Sequence, residues 1–240
     1  MANFAREQHG RFEQDDRWTA VDNYAIQHLV HEEYESALQY AIDLSAKEGL
    51  PNIEVSPLQG RFLKLQCMAL NAKNILEVGT LGGYSSILLA SSSPDAKVTT
   101  IEISPKHKAV AEEVHKRAGL SDRIEILLGA GMEVLPQLRK DVKDGKRENF
   151  GFVFIDADKE NNLNYLNEVI PMCRPRALII VDNVVRKGTL ADPEAAERES
   201  KVAGARRVVE GAGRDARLEC SLLQTVGEKN YDGFLLCVVK

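Results

Sequence analysis

The chain has 240 residues, 44% of them hydrophobic and 28% charged, with a formal net charge of −5. This composition and length suit one globular α/β domain with an extension, and there is enough apolar matter for a sizeable core. Mild acidity without a Lys/Arg run argues against nucleic acid or an anionic membrane as partner. The four cysteines, Cys67, Cys173, Cys220 and Cys237, form no CxxC pair and sit in apolar settings, as the reduced thiols of a cytoplasmic protein do. The opening "MANFAREQHGRFEQDDRW" is too polar for a signal peptide, and no apolar run approaches membrane-spanning length.

Residues 1–16 read as a mobile arm and 17–240 as a single domain. From residue 17 to 46, Val21, Tyr24, Leu29, Tyr34, Leu38, Ala41 and Ile42 recur at helical spacing, which predicts two helices or one broken helix. "GLPNIEVSP" is a breaker-rich loop and "PLQGRFLKLQCMAL" a further amphipathic helix. From Asn74 the pattern changes. "NILEVG", "KVTTIEI", "RIEILLG", "FGFVFIDA" and "ALIIVDN" are short β-branched runs, several nearly continuous in apolar residues, as strands buried on both faces should be. Helical patterns separate them at 84–92, 105–118, 132–142 and 161–173, with Ser104 as N-cap and Pro105 in the first turn of the second. Such alternation predicts a doubly wound, mostly parallel sheet. After a helix near 195–210, "RLECSLLQTV" and "YDGFLLCVVK" leave no room for a crossover, so they must pair as an antiparallel hairpin.

"ILEVGTLGGYSS" ends the first strand and opens a helix. Gly79, Gly82 and Gly83 permit a tight turn and close approach of a ligand. Alone, the cluster is also what any tight strand–helix turn needs. Its spacing is not G-x-G-x-x-G, which counts against a nicotinamide dinucleotide. Glu102 ends the second strand, where a carboxylate can accept both hydroxyls of a ribose or simply be solvated. Together with Glu77 at the end of the first strand, these residues describe a nucleoside site at the carboxyl edge of the sheet.

"LEVGTLGGYSS", "IEIS", "FVFIDADKENNLNY" and "IIVDNVVRKG", in that order, resemble the motifs of the cation-dependent, catechol/caffeoyl-CoA-type O-methyltransferases. The match spans roughly Val55 to the C-terminus. The resemblance implies a Rossmann-like class I methyltransferase fold, with a seven-stranded sheet and an antiparallel C-terminal hairpin. It implies S-adenosylmethionine as methyl donor, Mg²⁺ (or Mn²⁺ or Ca²⁺) as cation, a small catechol-like phenol as acceptor and a homodimer. Residues 17–72 would then shape the acceptor pocket and 73–240 form the cofactor-binding core. Carried over, Glu77, Gly79 and Ser85 would lie beside the amino acid part of the cofactor, Glu102 on its ribose and Ala130 beside its adenine. Asp156 and Asp158 would also touch it, and Val55 and Ser56 would close the site.

Asp156 ends the fourth strand, and Asp182 and Asn183 end the fifth. Neighbouring parallel strands bring these hard oxygen donors together, which points to a Mg²⁺-like ion rather than zinc. Three protein ligands leave room for two substrate oxygens. The plainer reading is that Asp and Asn at strand ends cap the next helix or turn. Lys159, three residues past Asp156, is the expected general base, with Asp156 and Asn183 completing the catalytic set. Its alternative is a surface salt bridge to Asp158 or Glu160, and Glu160 is expected to be solvated. The chain departs from the family's common pattern at Asn162 (Tyr), Arg176-Ala177 (Gly-Gly) and Arg186 (Trp). Arg186 is expected to border the acceptor pocket, preferring an acidic phenol or facing solvent. His28, His31 and Trp18 read as packing or surface residues of the N-terminal region. Competing functions are methylation of a non-catechol metabolite, a nucleotide-dependent oxidoreductase, and a non-catalytic scaffold. The glycine spacing and hairpin count against the second, and the intact Asp156, Lys159, Asp182 and Asn183 against the third.

Overall fold

A computed structural model describes residues 15–30 and 33–240. Most of the N-terminal arm, and His31, lie outside the described residues.

The N-terminal pattern resolves into separate helices, α1 (Asp16–Leu29) and α2 (Glu35–Lys47). Ala37, Leu38, Ala41 and Leu44 bury one stripe of α2, whereas α1 buries none of its residues. α3 (Pro57–Ala69) starts at a full capping box: the Ser56 side chain accepts from Gln59 N, and the Gln59 side chain accepts from Ser56 N. The core then alternates β1 (Asn74–Val78), α4 (Tyr84–Ala90), β2 (Lys97–Glu102), α5 (Pro105–Arg117), β3 (Ile124–Leu128), α6 (Gly131–Lys143) and β4 (Phe150–Ile155). It continues through α7 (Asn162–Val169), β5 (Cys173–Val181), α8 (Pro193–Arg198) and α9 (Ser200–Arg214) to β6 (Leu218–Val226) and β7 (Tyr231–Val239). Ser104 caps α5 and Pro105 opens it, as the sequence predicts.

Seven strands form one sheet in the order β3-β2-β1-β4-β5-β7-β6, parallel except for β7 and β6. Every residue of β4 is buried, because helices cover both faces. Ile75, Phe152, Phe154 and Ile180 face the layer holding α2 to α5. Leu76, Val153, Ile155 and Ile179 face the layer of α6, α7 and α9. The chain order reverses between β1 and β4, and there the carboxyl ends form the crevice in which α/β proteins hold ligands. No helix among the described residues is long and apolar enough to cross a membrane.

Two helix boundaries differ from the sequence reading. The pattern at 161–173 stops as an α-helix at Val169, because Ile170–Met172, with Pro171 inside it, form a short 3₁₀ turn and Cys173 already belongs to β5. The pattern near 195–210 is two helices, broken at Glu199 by an extended residue (φ −124°, ψ 110°).

β5 bulges against β4 between the pairs Phe150–Cys173 and Phe152–Leu178. Inside the bulge the exposed Arg176 takes φ 64°, a left-handed conformation that favours glycine. Here the departure from Gly-Gly has a physical reading: the turn is kept at a cost in backbone strain. Arg176→Gly is expected to raise unfolding stability by roughly 0.5–1 kcal/mol, the relieved left-handed strain exceeding glycine's extra entropy. A higher urea midpoint at unchanged m value is the expected reading, and a lower midpoint would show the strain to be absent.

Candidate active site

Gly79 leaves β1 at φ 106°, and a Cβ there would stand 2.1 Å from the carbonyl oxygen of Asp156. Only glycine lets the loop cross the end of β4 this closely. The loop is held from below by two acids. Glu102 accepts from Leu81 N (2.9 Å), Thr80 N (3.3 Å) and Ser104 N (2.9 Å), tying the glycine loop to the start of α5. Glu77 is wholly buried and accepts from the hydroxyls of Ser85 (2.6 Å), Ser86 (2.5 Å) and Thr100 (2.7 Å). Ser85 is therefore the half-exposed member of the Glu77–Ser85 pair. Burial pushes the Glu77 carboxyl up to about 7; the three hydroxyl donors oppose that shift and the charge of Asp156 adds to it.

At the next two strand ends stand the other acids. The register pairs Ile155 with Val181, so Asp156 and Asp182 follow on adjacent strands. Asp182 is buried and accepts from its neighbour Asn183 N (2.7 Å) and, through both oxygens, from Gln59 Nε2 (3.2 Å each). Burial, and then the negative charge of Asp156, hold its carboxyl well above the usual range; Lys159 opposes them. Asn183 adopts φ 57°, a left-handed conformation that asparagine tolerates better than most residues. Asp182 and Asn183 are thus set by a turn as well as by a strand end.

Lys159 is buried, with Nζ 2.5 Å from Asp156 Oδ1. It bonds neither of the acids flanking it in sequence. Asp158 accepts from Asn161 Nδ2 (2.5 Å) and from the Tyr165 hydroxyl. Tyr165 in turn lies against Gly131, the first residue after Ala130, so Asp158 and Ala130 border the same part of the crevice. Glu160 keeps access to solvent, as expected, and also accepts from Ser200 Oγ at 2.6 Å. On the N-terminal side, Lys229 in the β6–β7 turn donates to the Glu54 carbonyl (2.6 Å) and carboxylate (2.8 Å). Val55 and Ser56 are thereby anchored where Gln59 reaches Asp182.

Residues 30–240 match the model of a family described as O-methyltransferase. The chain belongs to the O-methyltransferase family. It is 47% identical to the O-methyltransferase imqG of Aspergillus flavus, over 95% of this chain and 94% of the relative. It is 41% identical to a catechol O-methyltransferase of Niastella koreensis, over 92% and 97% of the two chains. The crystal structure of the Bacillus cereus O-methyltransferase in complex with SAH superposes with a TM-score of 0.87 at 42% identity, covering 94% of this chain and 99% of that one.

In this O-methyltransferase, sequence reasoning missed three contributors. Gln59 was hidden because its capping role is local while its contact with Asp182 spans 123 positions. Asp232 is the second residue of β7, and its Oδ1 accepts from Val185 N (3.1 Å), Arg186 N (2.9 Å) and Gly233 N (3.0 Å), fixing the backbone just beyond Asn183. The "YDG" segment gives no sign of this by spacing. Ile103, 69% exposed beside Glu102, is an apolar side chain left open at the crevice edge. Asn162, where the family commonly has tyrosine, is wholly buried, and neither amide atom has a protein partner. Arg186 is half-buried, with φ 54° and an Nε that is buried without a partner.

The raised carboxyl of Glu77 has a definite pH consequence. Between the ordinary glutamate value and about 7 the folded chain keeps a proton that the unfolded chain has lost, so stability falls as pH rises through that window. The slope is at most about 1.4 kcal/mol per pH unit. Urea unfolding of metal-free, cofactor-free protein at pH 5, 6 and 7 should show it, and Glu77→Gln should flatten it. An unchanged slope in the variant would assign the effect to another group.

Proposed function

We propose that this O-methyltransferase moves the methyl group of S-adenosylmethionine to one hydroxyl of a vicinal diphenol held on a divalent cation. The observation that carries the reading is the placement of Lys159 Nζ at Asp156, beside the Asp182–Asn183 strand end. Two carboxylates and an amide offer hard oxygen atoms, and the charge of Asp156 adds to the cost of ionising the buried Asp182, so a Mg²⁺-like ion fits the set. Among the described residues no three His, Cys, Asp or Glu side chains gather to hold a metal, and the side-chain oxygen of Asn183 would be the third protein ligand of the proposed site. When bound, the cation supplies Lewis acidity toward a phenol and fixes both hydroxyls, and the sulfonium supplies an electrophilic methyl carbon.

The chain's own residues then have distinct tasks. Glu102 and Ser85 hold the ribose and amino acid ends of the cofactor, with Gly79 giving close access. Ala130 and the exposed face of Ile103 border the adenine, and Asp158 adds a polar contact. Val55 and Ser56 cover the crevice. Lys159, in its neutral form, takes the proton from the acceptor hydroxyl onto Nζ, leaving phenolate oxygen as nucleophile. Positive sulfonium meeting negative oxygen loses charge on the way to the transition state, so the rate comes mainly from orientation. Arg186 lies just beyond Asn183, where an acidic catechol would find a cation. A homodimer and a cytoplasmic location are further parts of this reading, the first open to a mass measurement in solution.

Incubation with S-adenosylmethionine, Mg²⁺ and a panel of neutral and acidic catechols should give mono-methylated product, with turnover lost on chelation and restored by Mg²⁺. Lys159→Met should lower kcat by about 10²- to 10⁴-fold with little change in cofactor affinity. Asp182→Ala should lose metal affinity in calorimetric titration. Turnover indifferent to chelator would remove the cation from the mechanism, and near-normal kcat in Lys159→Met would leave that residue only its ion pair.

A further inference from the structure

The turn that carries Lys159 is gripped from outside the site. α9 runs across residues 159–163, and two of its glycines lie seven positions apart on the side facing them. A Cβ on Gly204 would stand 2.1 Å from the carbonyl oxygen of Lys159, 2.6 Å from its carbonyl carbon and 2.9 Å from Glu160 Cα. A Cβ on Gly211 would stand 2.5 Å from Leu163 Cδ1. Glycine inside a helix costs about 1 kcal/mol relative to alanine. Neither of these residues has the positive φ that would call for glycine, so close approach is what they provide. Polar contacts fix the same turn at its next residue: Arg207 NH2 donates to the Glu160 carbonyl (3.0 Å) and Ser200 Oγ to its carboxylate (2.6 Å).

We propose that α9 is a positioning element for Lys159, with Gly204 and Arg207 setting where its amine stands against Asp156 and the acceptor. The proposal rests on Lys159 as the base. Ser200 and Arg207 on this helix fix the backbone from which the lysine projects. Adding a methyl at Gly204 forces the Lys159 carbonyl back by about 1 Å, a displacement that in a reacting geometry costs on the order of 100-fold.

The test compares two acceptors, an ordinary catechol and a nitro-substituted catechol that is already ionised at neutral pH and needs no base. Gly204→Ala should lower kcat about 10- to 100-fold on the catechol and much less on the nitrocatechol, with KM and affinity for the demethylated cofactor nearly unchanged. Should Gly204→Ala not fold, Arg207→Met at its exposed site carries the test. A loss of about 3- to 10-fold with the same acceptor dependence is expected, partly restored by Arg207→Lys. Equal losses on both acceptors, or full catechol activity in a folded variant, would overturn the positioning role. Lys159→Met is run alongside. If it keeps full catechol turnover the base assignment fails; if it alone is impaired, only the role of α9 does.

Discussion

Two like charges at neighbouring strand ends are the constraint around which this protein is organised. Asp156 and Asp182 follow paired residues of β4 and β5, and the charge of Asp156 raises the cost of ionising the buried Asp182. Buried carboxylates need a cation or several hydrogen bonds. The chain supplies part of both. Lys159 faces Asp156, and Gln59 and the backbone N–H of Asn183 donate to Asp182. Three separate elements must therefore arrive at one edge of the sheet: the first turn of α3, the turn after β4 and the turn after β5. Such an edge is formed only by a folded chain, and it holds a concentration of negative charge that a hard divalent ion would relieve.

The remaining buried acids do different work, and their partners show it. Glu77 is met by three hydroxyls, Glu102 by three backbone N–H groups, and Asp232 by three more. Glu77 and Glu102 shape the glycine loop from beneath, while Asp232 holds the left-handed run beyond Asn183. Carboxylates met by backbone N–H groups fix backbone geometry, whereas Asp156 is met by the Lys159 amine and Asp182 by Gln59 and the backbone N–H of Asn183. The distinction lies in the donors around each group, since all five acids sit at or near strand ends.

Much of this was legible in the sequence because it is local. Continuous apolar runs marked strands buried on both faces, glycines marked the turn after β1, and acids immediately following strands marked the carboxyl edge. The tail's missing crossover fixed an antiparallel hairpin. What was not legible depends on contacts across the chain. Gln59 reads as half of a capping box until α3 is seen against β5. Asp232 reads as a turn residue until its oxygen is seen on Val185 and Arg186. Asn162 reads only as a departure from the family's tyrosine, and its complete burial is set by the packing of α7. Helix ends at Val169 and Glu199 were missed because apolar spacing continues through a proline and through a single extended residue.

The arrangement also shows how a precise site can be built on short turns. Lys159 lies in a three-residue 3₁₀ segment, an element with little rigidity of its own. Asn183, Arg186 and Lys187 all adopt left-handed backbone, which persists only where the surroundings over-determine it. The determination comes from opposite sides: α9 against the turn of Lys159, and β7, through Asp232, against the turn of Asn183. Neither outer element needs to touch a ligand. A glycine-faced helix and an antiparallel hairpin, the parts of the chain least suggestive of chemistry, thus hold the groups on which the proposed chemistry depends.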